Sequence, residues 1–273
     1  MKLKEKNALI TGGAKGIGFA TAVRLANEGC NIVLLDLFEN ELTEAKLKLE
    51  KISKVKVFVK KTDVTNKNEV YDSAKIIENE FGAIDILINN AGYVKGGDFL
   101  DQPDEEWEKT IDVNLRSFIY TIRAFLPSMN KRNSGFVINI SSASSALGVP
   151  GLSIYTATKW AVWGLTESMR FESMNAGKNV RWVSIHPSYI QTGLFAGAKL
   201  GMLGNLIVPL LKSHDVIAKA IIKAIKKDKN IMFRPRTLKI AILLRGIMPD
   251  KLFQAILILM GVPQSMRSWK GRN

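Results

Sequence analysis

Short apolar runs of strand character, separated by longer stretches of helical periodicity, constrain this 273-residue chain more than any other feature. The runs are Asn7–Thr11, Asn31–Asp36, Val55–Thr62, Ile84–Asn89, Gly135–Ile140, Val180–His186 and Asn230–Phe233. Strands that alternate with helices predict a mainly parallel sheet covered on both faces, because each crossover lays a helix across the sheet. No long linker or internal repeat interrupts the series, so residues 1–273 read as one doubly wound α/β domain with a seven-stranded sheet. The stretch from Pro103 to Met129 opens with Asp104, Glu105 and Glu106, acids suited to a helix amino end, and predicts one long helix. Asn114 interrupts its apolar spacing, either as a solvent-facing position or as a bend.

The first strand runs straight into Thr11-Gly12-Gly13-Ala14-Lys15-Gly16-Ile17-Gly18, followed by the helical pattern Phe19–Glu28. Strand, glycine turn and helix stand in the order a dinucleotide site requires. Gly12 permits the tight turn, Gly16 lets the backbone approach a pyrophosphate, and Gly18 allows close helix–strand packing. The helix amino end then faces the phosphates. The second strand closes on Asp36, about 20 residues further on, where a carboxylate can accept from ribose hydroxyls. A solvated loop acid is the plainer reading of Asp36. A 2′-phosphate would meet that carboxylate with no cation at Leu37 to offset it, which favours NAD; in NADP-using proteins that this stretch resembles, a basic residue in the place of Lys15 can pair with a 2′-phosphate, which keeps NADP open.

Residues 139–159 carry the chemistry. Tyr155 and Lys159 are one helical turn apart and rise from the same face of a helix that begins near Ser153. A phenol titrates near ~10, too high for a base at neutral pH, and a neighbouring ammonium is expected to lower it. Tyr155 could then act as general acid and base. Ser142 follows the buried run Gly135–Ile140, which places its hydroxyl at a strand's carboxyl end, where ligands bind in open α/β sheets. His186 ends a buried run and reads as a hydrogen-bonded structural residue, and His214 falls near a helix start. Two histidines and one cysteine supply no cluster with zinc-ligand spacing, so no metal is expected.

The stretch TGGAKGIG, the tetrad Asn89-Asn90-Ala91-Gly92, Asn114, Ser142 and the Tyr155–Lys159 pair, in this order from about residue 5 to 195, together resemble the short-chain dehydrogenase/reductase family. The resemblance implies a Rossmann-type NAD(P) oxidoreductase that moves hydride between the nicotinamide and a secondary alcohol or ketone. In it, Tyr155 is the proton donor and acceptor, Ser142 holds the substrate oxygen, and Lys159 also bonds the nicotinamide ribose. The asparagine matching Asn114 holds a water that connects the lysine to solvent. By the same resemblance Gly12, Lys15, Gly16, Ile17 and Gly18 of the glycine turn bind the cofactor, with Asp36 at the ribose and Asp63 and Val64 at the adenine. Asn90, Ala91, Gly92 and Pro187 line the cofactor beside Tyr155 and Lys159, and Thr192 and the backbone of Ile190 reach the carboxamide. Asp63 and Asn90 also read as loop caps. Ser188 stands where the family usually has glycine, and its Cβ is expected to restrict that loop. The family's use of two long helices as an interface implies a homodimer or homotetramer. A noncatalytic dinucleotide sensor or scaffold is the alternative of another class, opposed by the intact Ser142, Tyr155 and Lys159.

Charge is uneven: of the net +14, residues 199–273 carry +12, from 15 Lys/Arg against 3 Asp/Glu. A local basic segment points to a local partner. It lacks the interleaved aromatics of a stacking platform, so nucleic acid is not expected. Within 190–212, where the family's substrate lid falls, Leu194, Phe195, Leu200, Met202, Leu203, Leu206, Ile207 and Val208 are apolar and predict an apolar substrate, lipid, acyl or steroid-like. Ser213–Lys227 alternates isoleucines with lysines as a basic amphipathic helix, and a helical extension over 234–273 holds the apolar runs Leu238–Leu244 and Leu252–Met260. Neither run spans a bilayer. The pattern fits peripheral contact with an anionic membrane, or an acidic acyl carrier protein, which keeps 3-oxoacyl-carrier-protein reduction as a rival activity. A single cysteine, Cys30, fits a reducing compartment, and the opening MKLKEKNALIT is too short in apolar residues for a secretory signal, so the cytoplasm is expected.

Overall fold

The computed structural model describes residues 2–266 and Trp269. Strands β1 (Asn7–Thr11), β2 (Asn31–Asp36), β3 (Val57–Lys61), β4 (Ile86–Asn89), β5 (Gly135–Ile140), β6 (Val180–Pro187) and β7 (Ile231–Arg234) form one sheet in the order β3-β2-β1-β4-β5-β6-β7. Every neighbouring pair is parallel, with Leu9 opposite both Val33 and Leu87, and Val137 opposite Trp182. Successive side chains leave opposite faces, so each apolar run feeds two cores. Ile10, Ile32, Leu34, Ile88 and Ile138 pack on one face; Leu9, Val33, Leu87 and Val137 pack on the other.

The first core is covered by helices α1 (Gly16–Asn27), α2 (Glu39–Ile52) and α8 (Asp215–Lys227), through residues such as Leu25, Leu42 and Ile221. The second is covered by α3 (Lys67–Glu80), α5 (Ser117–Lys131) and α6 (Ser153–Asn175), through Ile77, Phe125 and Leu165. The chain winds outward from β1 to β3 and then returns to place β4 on the other side of β1. At that reversal the crossovers diverge and leave a crevice at the strands' carboxyl ends.

Two expectations are corrected. The run from Pro103 is not one regular helix: α4 (Asp104–Ile111) passes through a π-helical turn, Asp112–Arg116, into α5. Asn114 lies in that turn, fully buried, so the solvent-facing reading is wrong and the bend is right. The amphipathic helix over Ser213–Lys227 forms as α8, but its apolar face is not open to a membrane. Ile217, Ala218, Ile221 and Ile225 are sealed against the sheet, because a doubly wound fold needs a helix there to cover β6 and β7.

Beyond β6 the chain leaves the sheet. Tyr189 and Gln191 pair with Leu211, and an isolated parallel bridge joins Ile190 to Leu211, closing the base of the segment that holds helix α7 (Met202–Ile207). After β7, α9 (Leu238–Ile247) and α10 (Asp250–Leu259) fold back over it: Gly201 N–H donates to the Met260 carbonyl, and Phe233, Leu238, Met260 and Val262 share a small core with Val208. Among the described residues no helix is long and apolar enough to cross a membrane.

Candidate active site

The glycine turn is built to bring backbone, rather than side chain, to the crevice. Gly12 and Gly16 have φ of +60° and +58°, the left-handed region that disfavours a Cβ. A Cβ on Gly12 would lie 2.9 Å from the Ala91 Cα, and one on Gly18 only 2.2 Å from the Gly12 carbonyl oxygen. On Gly16 it would meet nothing nearer than His214 Nε2 at 3.7 Å, so that backbone faces open space. The tetrad after β4 pins the turn from below: Asn90 Nδ2 donates to the carbonyls of Thr11 (3.0 Å) and Gly12 (2.9 Å), and the Thr11 hydroxyl accepts from the N–H groups of Asn90 and Ala91. The Asp36 carboxylate, at the end of β2, accepts from Ala14 N–H (3.0 Å) and Leu37 N–H (2.8 Å). An open backbone face, a helix amino end and an oriented carboxylate beside it fit a dinucleotide.

A cleft of about 450 Å³ runs along this turn. Gly12, Lys15, Gly16 and Ile17 form one wall, with Asn90, Ala91 and Gly92 beneath them. Ser142, Tyr155 and Lys159 close its far end, and Pro187, Ile190 and Thr192 form the third side. The remaining expected residues support it without lining it. Gly18 packs behind the turn, Val64 is buried with Val70 and Ala91, and the Asp63 carboxylate caps its own loop by accepting from Thr65 N–H and Oγ1. Asn114 Oδ1 accepts from Tyr93 N–H at 3.0 Å and its Nδ2 donates to the Tyr93 carbonyl at 2.7 Å, tying the π turn to the loop that carries Gly92. Ser188 lies outside the left-handed region, since the non-glycine residues with positive φ are Glu5, Asn133 and Asp228 among the described residues. The expected restriction by its Cβ does not arise.

Tyr155 and Lys159 project from the first turns of α6, both buried, with the Lys159 Nζ 5.5 Å from the centre of the Tyr155 ring. The expected electrostatic pairing is corrected here. Lys159 Nζ donates to the Ile140 carbonyl (3.1 Å), and burial lowers its ammonium to about 7. Burial raises the Tyr155 phenol above its ordinary value, a hydrogen bond with Ser142 acts in the opposite sense, and no lowering by Lys159 offsets it. In a dry pocket the loss of hydration penalises both charged forms, so the resting phenol keeps its proton. The Ser142 hydroxyl also accepts from Ser144 N–H at 3.2 Å.

The same two hydroxyls face a second, apolar chamber of about 60 Å³. Leu147, Val149 and Leu152 form its floor; Phe195, Leu200 and Val208 come from the segment after β6, and Leu238, Leu257 and Met260 from α9 and α10. Phe195 sets its ring edge-on to Tyr155 at 5.5 Å and also meets Tyr189 at 5.8 Å, while Trp269 Nε1 donates to the Leu194 carbonyl at 3.1 Å. His186 is the structural residue its position suggests: Ser145 and Ser184 hydroxyls hold its two ring nitrogens at 2.8 Å each, and burial lowers it to about 3. The sequence reading missed a buried polar chain under the site, in which Thr121 donates to Asn89, Asn89 to Asn139, and Asn139 to Thr166. Its signal was present, since asparagine inside an otherwise apolar strand requires a partner.

Comparison with known proteins agrees with this geometry. The model of the short chain dehydrogenase family matches residues 6–201. Epidermal retinol dehydrogenase 2 of Homo sapiens is 33% identical over 259 residues, covering 94% of this chain and 83% of that one. The 17-beta-hydroxysteroid dehydrogenase 13 of Rattus norvegicus is 31% identical over 252 residues, covering 92% and 82%. Among solved structures, a short chain dehydrogenase/reductase from Burkholderia phymatum in complex with NAD superposes with a TM-score of 0.81 at 23% identity, covering 97% and 98%. With a glycine turn opening on the crevice, a Ser–Tyr–Lys group at its end and a family match over most of its length, the chain belongs to the short-chain dehydrogenase/reductase family of NAD(P)-dependent oxidoreductases.

Proposed function

We propose that this enzyme interconverts a secondary alcohol and a ketone on an apolar, lipid-like skeleton, using NAD in preference to NADP. One observation carries the reading: Ser142 and Tyr155 border both the dinucleotide cleft and the apolar chamber, so a carbon–oxygen group held between them has its hydrocarbon in one space and the nicotinamide in the other. The relatives' names, retinol and hydroxysteroid dehydrogenases, share an apolar skeleton; a chamber of about 60 Å³ takes only its reacting end, so the segment that roofs the chamber would move outward to admit the rest.

The nucleotide would be held by the backbone at Gly12–Gly18, by Asp36 at the ribose and by Ile190 and Thr192 at the carboxamide, and it supplies the hydride donor or acceptor. The rest falls to the chain's own side chains. Ser142 donates a hydrogen bond to the substrate oxygen. The protonated Tyr155 phenol gives its proton to that oxygen during reduction and recovers it from Lys159, whose value of about 7 makes it a proton reservoir near neutrality. In oxidation the same groups move the proton outward. Phe195 and the helices behind it keep water from the reacting atoms. Lys15, the residue that favours a 2′-phosphate, is held in an ion pair by Glu41. That leaves the Asp36 carboxylate to repel a 2′-phosphate.

Residues 190–212 would act as the substrate lid, its base fixed by the Ile190–Leu211 bridge. The outer faces of the helices that roof the chamber remain apolar: Met202 is 88% exposed, Leu206 80%, Ile247 70% and Leu259 71%. Lys199, Lys212, Lys239 and Lys251 around them are exposed and make no ion pair among the described residues. Peripheral docking on an anionic membrane would cover this face and deliver an apolar substrate to the lid. An acidic acyl carrier protein would meet the same charge, but it does not need the exposed hydrocarbon.

The test is a panel of ketones and alcohols, from short polar compounds to long acyl chains and sterols, assayed with both nucleotides. A rise in kcat/KM with apolar size, together with higher kcat/KM for NAD, is expected. A preference for short polar ketones would overturn the substrate class, and a preference for NADP would overturn the cofactor choice.

A further inference from the structure

His214 occupies a position that neither the packing nor the hydride chemistry above explains. It precedes α8, at the mouth of the cleft, with its ring half-buried between the glycine turn and the start of the lid segment. A Cβ placed on Gly16 would lie 3.7 Å from its Nε2, and one placed on Gly193 only 2.9 Å away. Both positions are glycines in the left-handed region, with φ of +58° and +76°, and the imidazole fits against the bare backbone of each. The ring makes no hydrogen bond among the described residues, although it adjoins the backbone that opens toward the pyrophosphate position. A bidentate ion pair between Arg24 of α1 and Asp215, the next residue, holds it there.

We infer that His214 is a third element of the phosphate site: its Nε2 donates to a pyrophosphate oxygen, so nucleotide binding draws a proton onto the ring and clasps the lid segment to the glycine turn. The inference rests on the dinucleotide reading given above. Charged groups on the surrounding elements leave this role to the histidine. Lys15 of the glycine turn is paired with Glu41, Arg24 is paired with Asp215, and the Asp215 carboxylate is shared with Lys219. Lys212 precedes the ring but is exposed, and the lid residues beside it, Thr192 to Phe195, carry no charge. Burial alone lowers the free imidazole, so it is neutral at pH 7 before an anion arrives. A phosphate against Nε2 reverses that balance, because the charged donor then has its partner in a partly dry cleft.

Proton uptake on binding is measured by titration calorimetry of the full chain with NAD, in two buffers of different ionisation heat, between pH 6 and 8. Uptake and an affinity that tightens as pH falls are expected, whereas adenosine, which lacks the pyrophosphate, should show neither. His214→Gln keeps a side-chain amide donor and should retain binding while losing both the uptake and the pH dependence. His214→Ala should weaken NAD at pH 6 by about tenfold or more, the size of one charge-assisted hydrogen bond. If wild type and His214→Gln bind NAD with the same pH dependence, the inference fails and the dinucleotide reading stands. If the wild type binds neither NAD nor NADP, the dinucleotide reading itself fails.

Discussion

At the scale of single residues, the site depends on what burial does to two polar groups. Tyr155 and Lys159 were expected to form an ion-pair-like couple; folding instead dries both, raising the phenol and lowering the ammonium to about 7. The phenol hydroxyl is the only part of Tyr155 that Phe cannot reproduce. Tyr155→Phe should therefore keep the fold and nucleotide binding and retain less than a tenth of kcat, a barrier increase above about 1.4 kcal/mol. Retention of more would remove Tyr155 from the proton transfer. Lys159 gives a pH prediction whose sign follows from its direction: burial penalises the charged form, so the ammonium is present below about pH 7 and lost as pH rises through it. Steady-state kcat for ketone reduction should fall across that range and kcat for alcohol oxidation should rise. Lys159→Arg stays charged throughout and cannot release a proton near neutrality, so it should lower kcat for reduction and flatten its pH profile; an unchanged inflection in that variant would assign the titration to another group.

At the scale of elements, the glycine turn and the π turn illustrate two kinds of sequence signal. The first is legible because only glycine fits. A Cβ at Gly18 would stand 2.2 Å from the Gly12 carbonyl, against backbone that cannot move without opening the turn. Gly18→Ala should thus lower nucleotide affinity by at least about tenfold and reduce Tm, as overpacking of this kind costs about 1–3 kcal/mol. Thermal melts with and without NAD would check both, and unchanged values would show that the turn tolerates the methyl. The π turn is less legible. Asn114 announces a disturbance in the helix, but its burial and its two hydrogen bonds to Tyr93 depend on a loop contributed by another part of the chain. Helix α8 gives the same lesson in reverse: its period was correct, but the partner of its apolar face was assigned wrongly, because the sheet and a membrane ask for the same pattern.

For the whole molecule, charge and exposed hydrocarbon coincide on the face formed by α7, α9 and α10. Cosedimentation should show binding to anionic vesicles that exceeds binding to neutral ones and weakens with salt. Met202 and Leu206 are 88% and 80% exposed, so the double substitution Met202→Glu and Leu206→Glu leaves the core intact. It should reduce vesicle binding by tenfold or more, since each inserted side chain contributes ~1–2 kcal/mol. Equal, negligible binding to both vesicle types would end the membrane proposal. Not every basic residue of the last quarter is free on that face: Arg245 lies over the Trp160 ring and donates to the Ala146 carbonyl, and Lys226 pairs with Glu28. Sequence alone determined the strand and helix series, the glycine turn, and the Ser142, Tyr155 and Lys159 set, because periodicity, bare backbone and reactive side chains are local properties written in residue type and spacing. Tertiary structure alone decided the rest: which apolar faces found a partner, which lysines found a counterion, how dry the tyrosine and lysine became, and that His214 meets Gly16 and Gly193. Those depend on distances between segments far apart in the chain, and burial and charge act through such distances.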